Sequence, residues 1–272
     1  MINIGMIGYG TIGEQLLELV KAKKAGQTNV KAILVRSPEK VKILQDTLQG
    51  EEIEITNDAT RFFNLQLDFI VEGAGHDAVR QYSQTALESG SHFIVVSVGV
   101  FCDEDLLTAV RRTAKETGKQ LIIPSAAIGG LDRVTAGAVG DIDEVKLITR
   151  KPPKAWYGTS VEQKLDLANL TEPVCIFTGT ARESAKAFPE NVNVSAALSI
   201  AGVGFEKTNV EVYVDPTLDK NKHEISIKGL FGDSRIQIQN TPSENNPKTG
   251  YIVAMSIAKV LNSYTSDIVI GV

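Results

Sequence analysis

The alternation of apolar and polar positions divides the chain into two halves of different character. Met1 to Ile7 (MINIGMI) is a short apolar run met at once by glycines, which predicts a buried strand. From Thr11 to Lys24 the period lengthens. Ile12, Leu16, Leu19 and Val20 share one face while Glu14, Glu18 and Lys21 lie off it, the pattern of an amphipathic helix. Val30 to Val35 reads as a second strand, and Pro38 opens a helix striped by Val41, Leu44 and Leu48. The rhythm continues with a strand over 67–71 and a helix over 76–88 closed by Gly90. A strand over 93–98, a helix over 103–116 ended by Gly118, and a strand over 121–123 stopped by Pro124 complete it. Strands and helices alternating at this length build a mostly parallel sheet with helices on both faces and right-handed crossovers.

Beyond about residue 140 the pattern changes. Glu144 to Thr149 alternates and is interrupted by Lys151-Pro152-Pro153, and 154–173 has no period and reads as loop or weak helix. A strand over 174–177, a helix from Thr180 and a small-residue helix over 193–201 follow. Asn209 to Asp215, His223 to Gly229 and Ser234 to Asn240 alternate with period two. They are expected to succeed one another through turns in an antiparallel sheet with one solvated face. Pro247 to Leu261 is predicted as a final helix with Asn246 as its cap. The predicted fold is α/β: a Rossmann-type doubly wound parallel sheet with a second α+β domain carrying a mainly antiparallel sheet. If the last helix returns to the first sheet, residues 1–124 plus 245–272 form the first domain and 125–244 the second.

Composition narrows the classes. The 272 residues are 43% hydrophobic and 22% charged, an ordinary globular mixture rather than a disordered one. Net charge is -5 and the pI about 5.4, and the nearest thing to a basic block, Lys21-Ala22-Lys23-Lys24, suits the end of a helix. No nucleic-acid partner is therefore expected. The best uncharged apolar run, Phe93 to Phe101, has nine residues where a bilayer span needs about 20. No membrane partner is expected, and the start of the chain has no signal-peptide pattern. Cys102 and Cys175 form no CxxC, which excludes a disulfide framework and predicts a cytoplasmic protein.

Gly8-Tyr9-Gly10-Thr11-Ile12-Gly13 fits G-x-G-x-x-G, and it stands between a predicted strand and a predicted helix, the context that gives this pattern meaning. The first glycine permits a tight turn, the second lets backbone approach a pyrophosphate, and the third lets helix and strand pack closely. The helix N-terminus supplies free N–H groups and a favourable dipole. NAD or NADP is the expected cofactor. An acidic residue after the second strand would favour NAD; this chain has Arg36-Ser37 there, which suits a 2′-phosphate and points to acceptance of NADP, and to a preference for it.

Candidate chemistry in the second half centres on His223, in Asn221-Lys222-His223-Glu224, where a turn enters a strand; its ordinary pKa near 6.5 suits a proton shuttle. His76 and His92 read as structural. The loop Ser125-Ala126-Ala127-Ile128-Gly129-Gly130-Leu131-Asp132 follows the last strand of the first sheet, on the edge where doubly wound folds bind ligands. Phe188-Pro189-Glu190-Asn191-Val192-Asn193-Val194 enters the small-residue helix, where an asparagine either caps the helix or meets a carboxamide. No His, Cys and carboxylate cluster has metal-ligand spacing, so no metal is predicted.

Several of these stretches go beyond generic dinucleotide-binding features. IGYGTIG, VVSVGVF, PSAAIGGLD, TRKPP, FTGTARESAKAFPENVNVSAALSIAG, NKHEI and ENNPKTG occur in order from residue 4 to about 250. With them the chain resembles the L-aspartate dehydrogenase family. The resemblance implies NAD(P)-dependent oxidative deamination of L-aspartate through iminoaspartate to oxaloacetate and ammonia, feeding NAD biosynthesis. It also implies that His223 is the active-site histidine and that Ala127 and Asn193 contact the cofactor. The chain departs from the family pattern at Ala126, at Gly250 and in the length of 151–174. A dicarboxylic substrate calls for cations, for which Lys151, Arg182 and Lys248 are the candidates. The alternatives are a related dehydrogenase or imine reductase acting on another small amino acid or semialdehyde, and a dinucleotide-sensing protein without catalysis. Edge strands in the second domain predict a homodimer.

Overall fold

The computed structural model describes residues 1–188, 192–244 and 246–271, without the side chains of Pro247 and Lys248. By its contacts the chain divides into two compact units, Met1–Ala126 with Pro242–Val272, and Ala127–Thr241.

In the first unit the elements are β1 (Ile2–Ile7), α1 (Thr11–Lys21), β2 (Thr28–Leu34), α2 (Pro38–Thr47), β3 (Glu54–Thr56), α3 (Ala59–Phe63), β4 (Phe69–Glu72), α4 (His76–Glu88), β5 (His92–Val95), α5 (Glu104–Thr117) and β6 (Leu121–Ile122). The second unit holds α6 (Leu131–Gly137), β7 (Ile142–Lys151), β8 (Val174–Thr180), α7 (Ala181–Ala187), α8 (Val192–Ala201), β9 (Thr208–Val214), β10 (Lys222–Gly229) and β11 (Gly232–Gln239). The chain then returns to the first unit with β12 (Pro242–Ser243), β13 (Asn246–Gly250) and α9 (Ile252–Ser263).

The first sheet is parallel throughout, in the order β3-β2-β1-β4-β5-β6. Chain direction across the sheet reverses between β1 and β4, the switch point at which such sheets open a crevice at the carboxyl ends of their strands. Local chemistry sets the helix ends. Ser37 and Asp58 cap α2 and α3 by accepting from the backbone amides of Lys40 and Arg61; Asp103 caps α5, and Gly118 closes it in the left-handed region. Ile2, Ile4 and Met6 of β1 pack with Leu16 and Leu17 of α1 and with Val253, Ala254, Ile257, Ala258 and Leu261 of α9 in one core cluster. Each large aliphatic side chain so buried contributes about 1.5–3 kcal/mol.

The second sheet is mixed, in the order β11-β10-β7-β9-β8, with β7 and β9 parallel and the other pairs antiparallel. Its strands β9, β10 and β11 are not a simple succession, as their alternation suggests. β7 lies between β9 and β10, and only β10 and β11 form a hairpin. Periodicity reports which face is buried and carries no information on which strand is the neighbour. One face is apolar, with Val145, Leu147, Val210, Val212, Ile225 and Ile227 buried. The other is polar and laced by pairs such as Lys146–Glu211 and Arg235–Glu224.

Three further departures from the sequence pattern have local causes. Residues 246–250 form a strand paired with β12 rather than the start of a helix, and the helix begins at Ile252. Gly250 makes helix propagation through this stretch costly by about 1 kcal/mol. The strand over 93–98 stops at Val95, and Val98–Cys102 forms a 3-10 turn. β3 and α3 arise where Ile53 and Ile55 alternate with glutamates and Asp58 offers a cap, a signal too short to stand out. In the second unit, 154–173 folds back on itself. Trp156 is 1% exposed and meets the ring of Phe188 edge-on at 5.8 Å, with Val161 and Leu167 also buried.

Candidate active site

The glycine loop joins β1 to α1 at the carboxyl edge of the first sheet. Gly8 has φ +90, and a Cβ there would lie 2.8 Å from the Cβ of Ala74, in the loop after β4. Only glycine tolerates both conditions. Gly10 occupies the cap position just before α1 and gives no side-chain cap, and a Cβ built on it meets nothing within 4 Å. The amides at Thr11, Ile12 and Gly13 therefore begin a helix beside open space, a donor set suited to phosphate. A Cβ on Gly13 would press on Gly8 O at 3.2 Å, so the third glycine serves close packing. These features fit a dinucleotide.

Arg36 lies on the same edge. Gly8 N donates to Leu34 O at 2.9 Å, and Arg36 follows two residues later, exposed and with no ion pair among the described residues. Ser37 is committed to the cap of α2: its Oγ accepts from Lys40 N at 3.3 Å. Its hydroxyl also helps the backbone amide of Glu39 hold that carboxyl below the ordinary range. Of the pair, Arg36 is the open group.

Glu72, which the sequence pattern did not single out, organises this edge. It ends β4, is fully buried, and its carboxylate accepts from Ala74 N (2.7 Å), Gly75 N (2.7 Å), Ser97 N (3.1 Å) and Ser97 Oγ (2.9 Å). It thereby joins the loop that packs on Gly8 to the segment after β5. A buried carboxylate is tolerated only when so paired. The available signal was an acidic residue ending an apolar strand (FIVE) ahead of Gly-Ala-Gly.

Ala126 has φ +49, in the left-handed region where an alanine is strained by about 1–2 kcal/mol. Its amide donates to Ser256 Oγ of α9 at 3.2 Å. The strain falls at the position where the family pattern has glycine.

In the second unit, Ala127 O accepts from Asn240 Nδ2 at 2.6 Å, which ties the loop to the chain just after β11. Gly130 has φ +76, and a Cβ on it would lie 2.1 Å from Ile236 Cδ1; one on Gly129 would meet Ile238 Cδ1 at 3.7 Å. Ile238 is the partner of His223 across the β10–β11 ladder, so the loop rests on the strand beside His223. On the other side His223 pairs with Thr149 of β7, and Thr149 Oγ1 lies 3.1 Å from His223 Nδ1.

Lys151, two residues after Thr149, shares its sheet face, with its ammonium 5.5 Å from the centroid of the Trp156 ring. Burial first, and the positive charge of Lys151 second, push the His223 imidazole down to about 4. It is neutral at neutral pH. Glu224, next to His223 in sequence, faces the other side of the sheet, where Arg235 and Gln237 donate to it at 2.7 Å each. Asn193 is exposed in the first turn of α8.

The other predicted site residues fall elsewhere. Arg182 is paired with Glu206 and lies over the Phe205 ring at 5.5 Å. The side chain of Lys248 lies outside the described residues, as do Pro189, Glu190 and Asn191. His92 stacks on Phe69 at 5.0 Å, and its Nδ1 accepts from Gln120 N, a structural arrangement. Among the described residues no group of three or more His, Cys, Asp or Glu is placed to hold a metal ion, and no helix is long and apolar enough to cross a membrane.

Comparison with known proteins matches both units. A family model described as "Aspartate dehydrogenase, C-terminal" covers residues 132–264, and one described as "Homoserine dehydrogenase, NAD binding domain" covers residues 8–124. The sequence is 36% identical over 273 residues to an L-aspartate dehydrogenase of Methanosarcina barkeri, covering 100% of both chains. It is 36% identical over 264 residues to one of Ralstonia pickettii, covering 97% of each. The solved structure of aspartate dehydrogenase from Thermotoga maritima superposes with a TM-score of 0.78 at 26% identity, covering 99% of each chain.

Proposed function

The chain belongs to the L-aspartate dehydrogenase family, NAD(P)-dependent oxidoreductases of CH–NH2 donors, and from that premise we propose how its residues divide the work. The reaction converts L-aspartate, water and the oxidised cofactor to oxaloacetate, ammonium, the reduced cofactor and a proton. When bound, the nicotinamide cofactor supplies the acceptor for the hydride that leaves Cα. The amides of Thr11, Ile12 and Gly13 bind its pyrophosphate, and Ala127 and Asn193 contact its nicotinamide end.

Lys151 pairs with a carboxylate of aspartate. His223 takes a proton from the ammonium group, releases it to solvent, and is then free to take one from the water that attacks the imine. The observation that carries this reading is a buried, neutral imidazole beside a lysine on one sheet face. A neutral imidazole has a lone pair to offer. Pairing of Lys151 with a carboxylate cancels the lesser of the two effects that lower the imidazole, the greater being burial, so substrate binding raises its basicity. A panel of amino acids, and of 2-oxo acids with ammonia, read by the absorbance of the reduced cofactor, tests the substrate. Aspartate and oxaloacetate are expected to turn over fastest. Faster turnover of a monocarboxylic amino acid or a semialdehyde would displace aspartate.

Arg36 carries a preference for NADP. A charge-assisted hydrogen bond of about 1.5–3 kcal/mol corresponds to an affinity change on the order of 10- to 100-fold. Arg36→Ala is expected to weaken NADP binding by about that factor and to alter NAD binding little, as measured by titration of each cofactor. Wild-type binding of NAD at least tenfold tighter than NADP would reverse the assignment. No disulfide joins Cys102 and Cys175, which agrees with a reducing cytoplasm. The strands β8 and β11, at the edges of their sheet, support a homodimer.

A further inference from the structure

His223 and Thr149 face each other across the antiparallel ladder of β10 and β7. Thr149 is 4% exposed and His223 9%, and Oγ1 to Nδ1 is 3.1 Å. The other ladder neighbours in this row are Val212 on β9 and Ile238 on β11, both apolar, and the charged group near the ring is Lys151, at the end of β7. Thus a hydroxyl, rather than a carboxylate, orients the imidazole. That choice matters. A carboxylate at Nδ1 stabilises the imidazolium and raises the pKa, whereas a hydroxyl carries no charge and has two lone pairs and one proton.

We propose that Thr149 is a positioning residue that accepts a hydrogen bond from Nδ1–H of His223, holding the ring in the tautomer whose lone pair is on Nε2. The inference rests on the reading of His223 as the acid/base. A proton can be taken up at Nε2 only if that nitrogen is bare, and Nδ1 must then carry the hydrogen. With Thr149 as acceptor, Nδ1–H donates to the same oxygen in the neutral ring and in the imidazolium. The proton moves from the substrate ammonium to Nε2, leaving the amine lone pair free as the hydride departs from Cα. Nothing at Nδ1 reorganises during the step. The β-branched side chain, stiff at χ1 in a strand, fixes the oxygen at a defined place beside the ring.

The protein contains three histidines, so nitrogen-15 spectra of the histidine-labelled full-length enzyme are simple to assign. His92 provides an internal reference of opposite sense, because its Nδ1 accepts from Gln120 N and must be unprotonated. For His223 the expected pattern is a protonated, pyrrole-type Nδ1 and a bare, pyridine-type Nε2. Thr149→Val is expected to shift the ring toward the Nε2–H form and to lower kcat about tenfold with little change in KM. Thr149→Ser is expected to restore both the tautomer and kcat. A bare Nδ1 in the wild type, or an unchanged tautomer in Thr149→Val, overturns the proposal. If the valine variant does not fold, the wild-type spectrum decides the assignment by itself. Full turnover in a His223 variant would instead remove the acid/base reading, an outcome distinct from the tautomer result.

Discussion

Replacing His223 with asparagine is expected to lower turnover of aspartate by about 10²- to 10⁴-fold, the range for loss of a general acid/base. Asparagine retains a polar group near the Nδ1 position, able to bond Thr149, and has no titratable nitrogen. The variant therefore separates proton transfer from packing. Affinity for NAD(P), measured by quenching or by titration calorimetry, is expected to stay within about twofold of wild type, a difference of roughly 0.4 kcal/mol. The amides proposed to bind the pyrophosphate begin α1 in the first unit, and His223 belongs to β10 in the second. The pH profile supplies a second readout. In the free enzyme the acid limb follows an imidazole lowered to about 4, so the loss of kcat/KM that His223 causes is expected only in acid. With substrate on Lys151 the same limb in kcat is expected at higher pH. Near-wild-type turnover in the asparagine variant would remove His223 from the mechanism.

How far the sequence foretold this arrangement depends on the kind of information each feature needs. The helices α1, α4 and α5 were legible because their signals are local: a stripe of apolar residues, a capping Asp103, a closing Gly118. The glycine loop was legible for the same reason: Gly8 and Gly13 have distinct steric requirements, and Gly10 leaves open space before the helix. Features that depend on pairing at long range were not. The insertion of β7 between β9 and β10 leaves no trace in the alternation of those strands, yet it places Thr149 opposite His223. Glu72 has the same character. Two of its donors are at Ser97, in the segment after β5 and 25 residues away, so the acidic end of FIVE is only a partial signal of a buried carboxylate. The pairing of Arg182 with Glu206, from the segment ahead of β9, is equally invisible in the motif that contains the arginine. The family resemblance singled out His223, and the backbone register sets it opposite Thr149, two residues before Lys151 on the same sheet face.

Acid is expected to destabilise the second unit through His223 before carboxylates contribute much. The ordinary histidine pKa is 6.5 and burial lowers it to about 4 in the folded protein. Because the folded form binds its proton less readily, the unfolded chain carries more protons between these values, and stability rises with pH across that window. The contribution is fully present above about pH 6.5 and is lost progressively as pH falls toward 4. At about 1.4 kcal/mol per unit, the window to pH 4.5 accounts for roughly 2–3 kcal/mol. The carboxyl groups held low, such as Glu211 beside Lys146 and Asp103 beside Arg80, exert their effects at more acid pH. Trp156, the single tryptophan, is buried in the same unit and reports its unfolding by fluorescence. Urea unfolding at pH 7 and pH 4.5 is expected to show that the wild type loses about 2–3 kcal/mol more than His223→Asn, which has no imidazole to protonate. Equal losses in the two proteins would mean that the folded protein leaves the imidazole at its ordinary value, and that burial does not hold it down. A smaller loss in the wild type than in His223→Asn would mean a ring charged at neutral pH, with no lone pair to accept the substrate's proton.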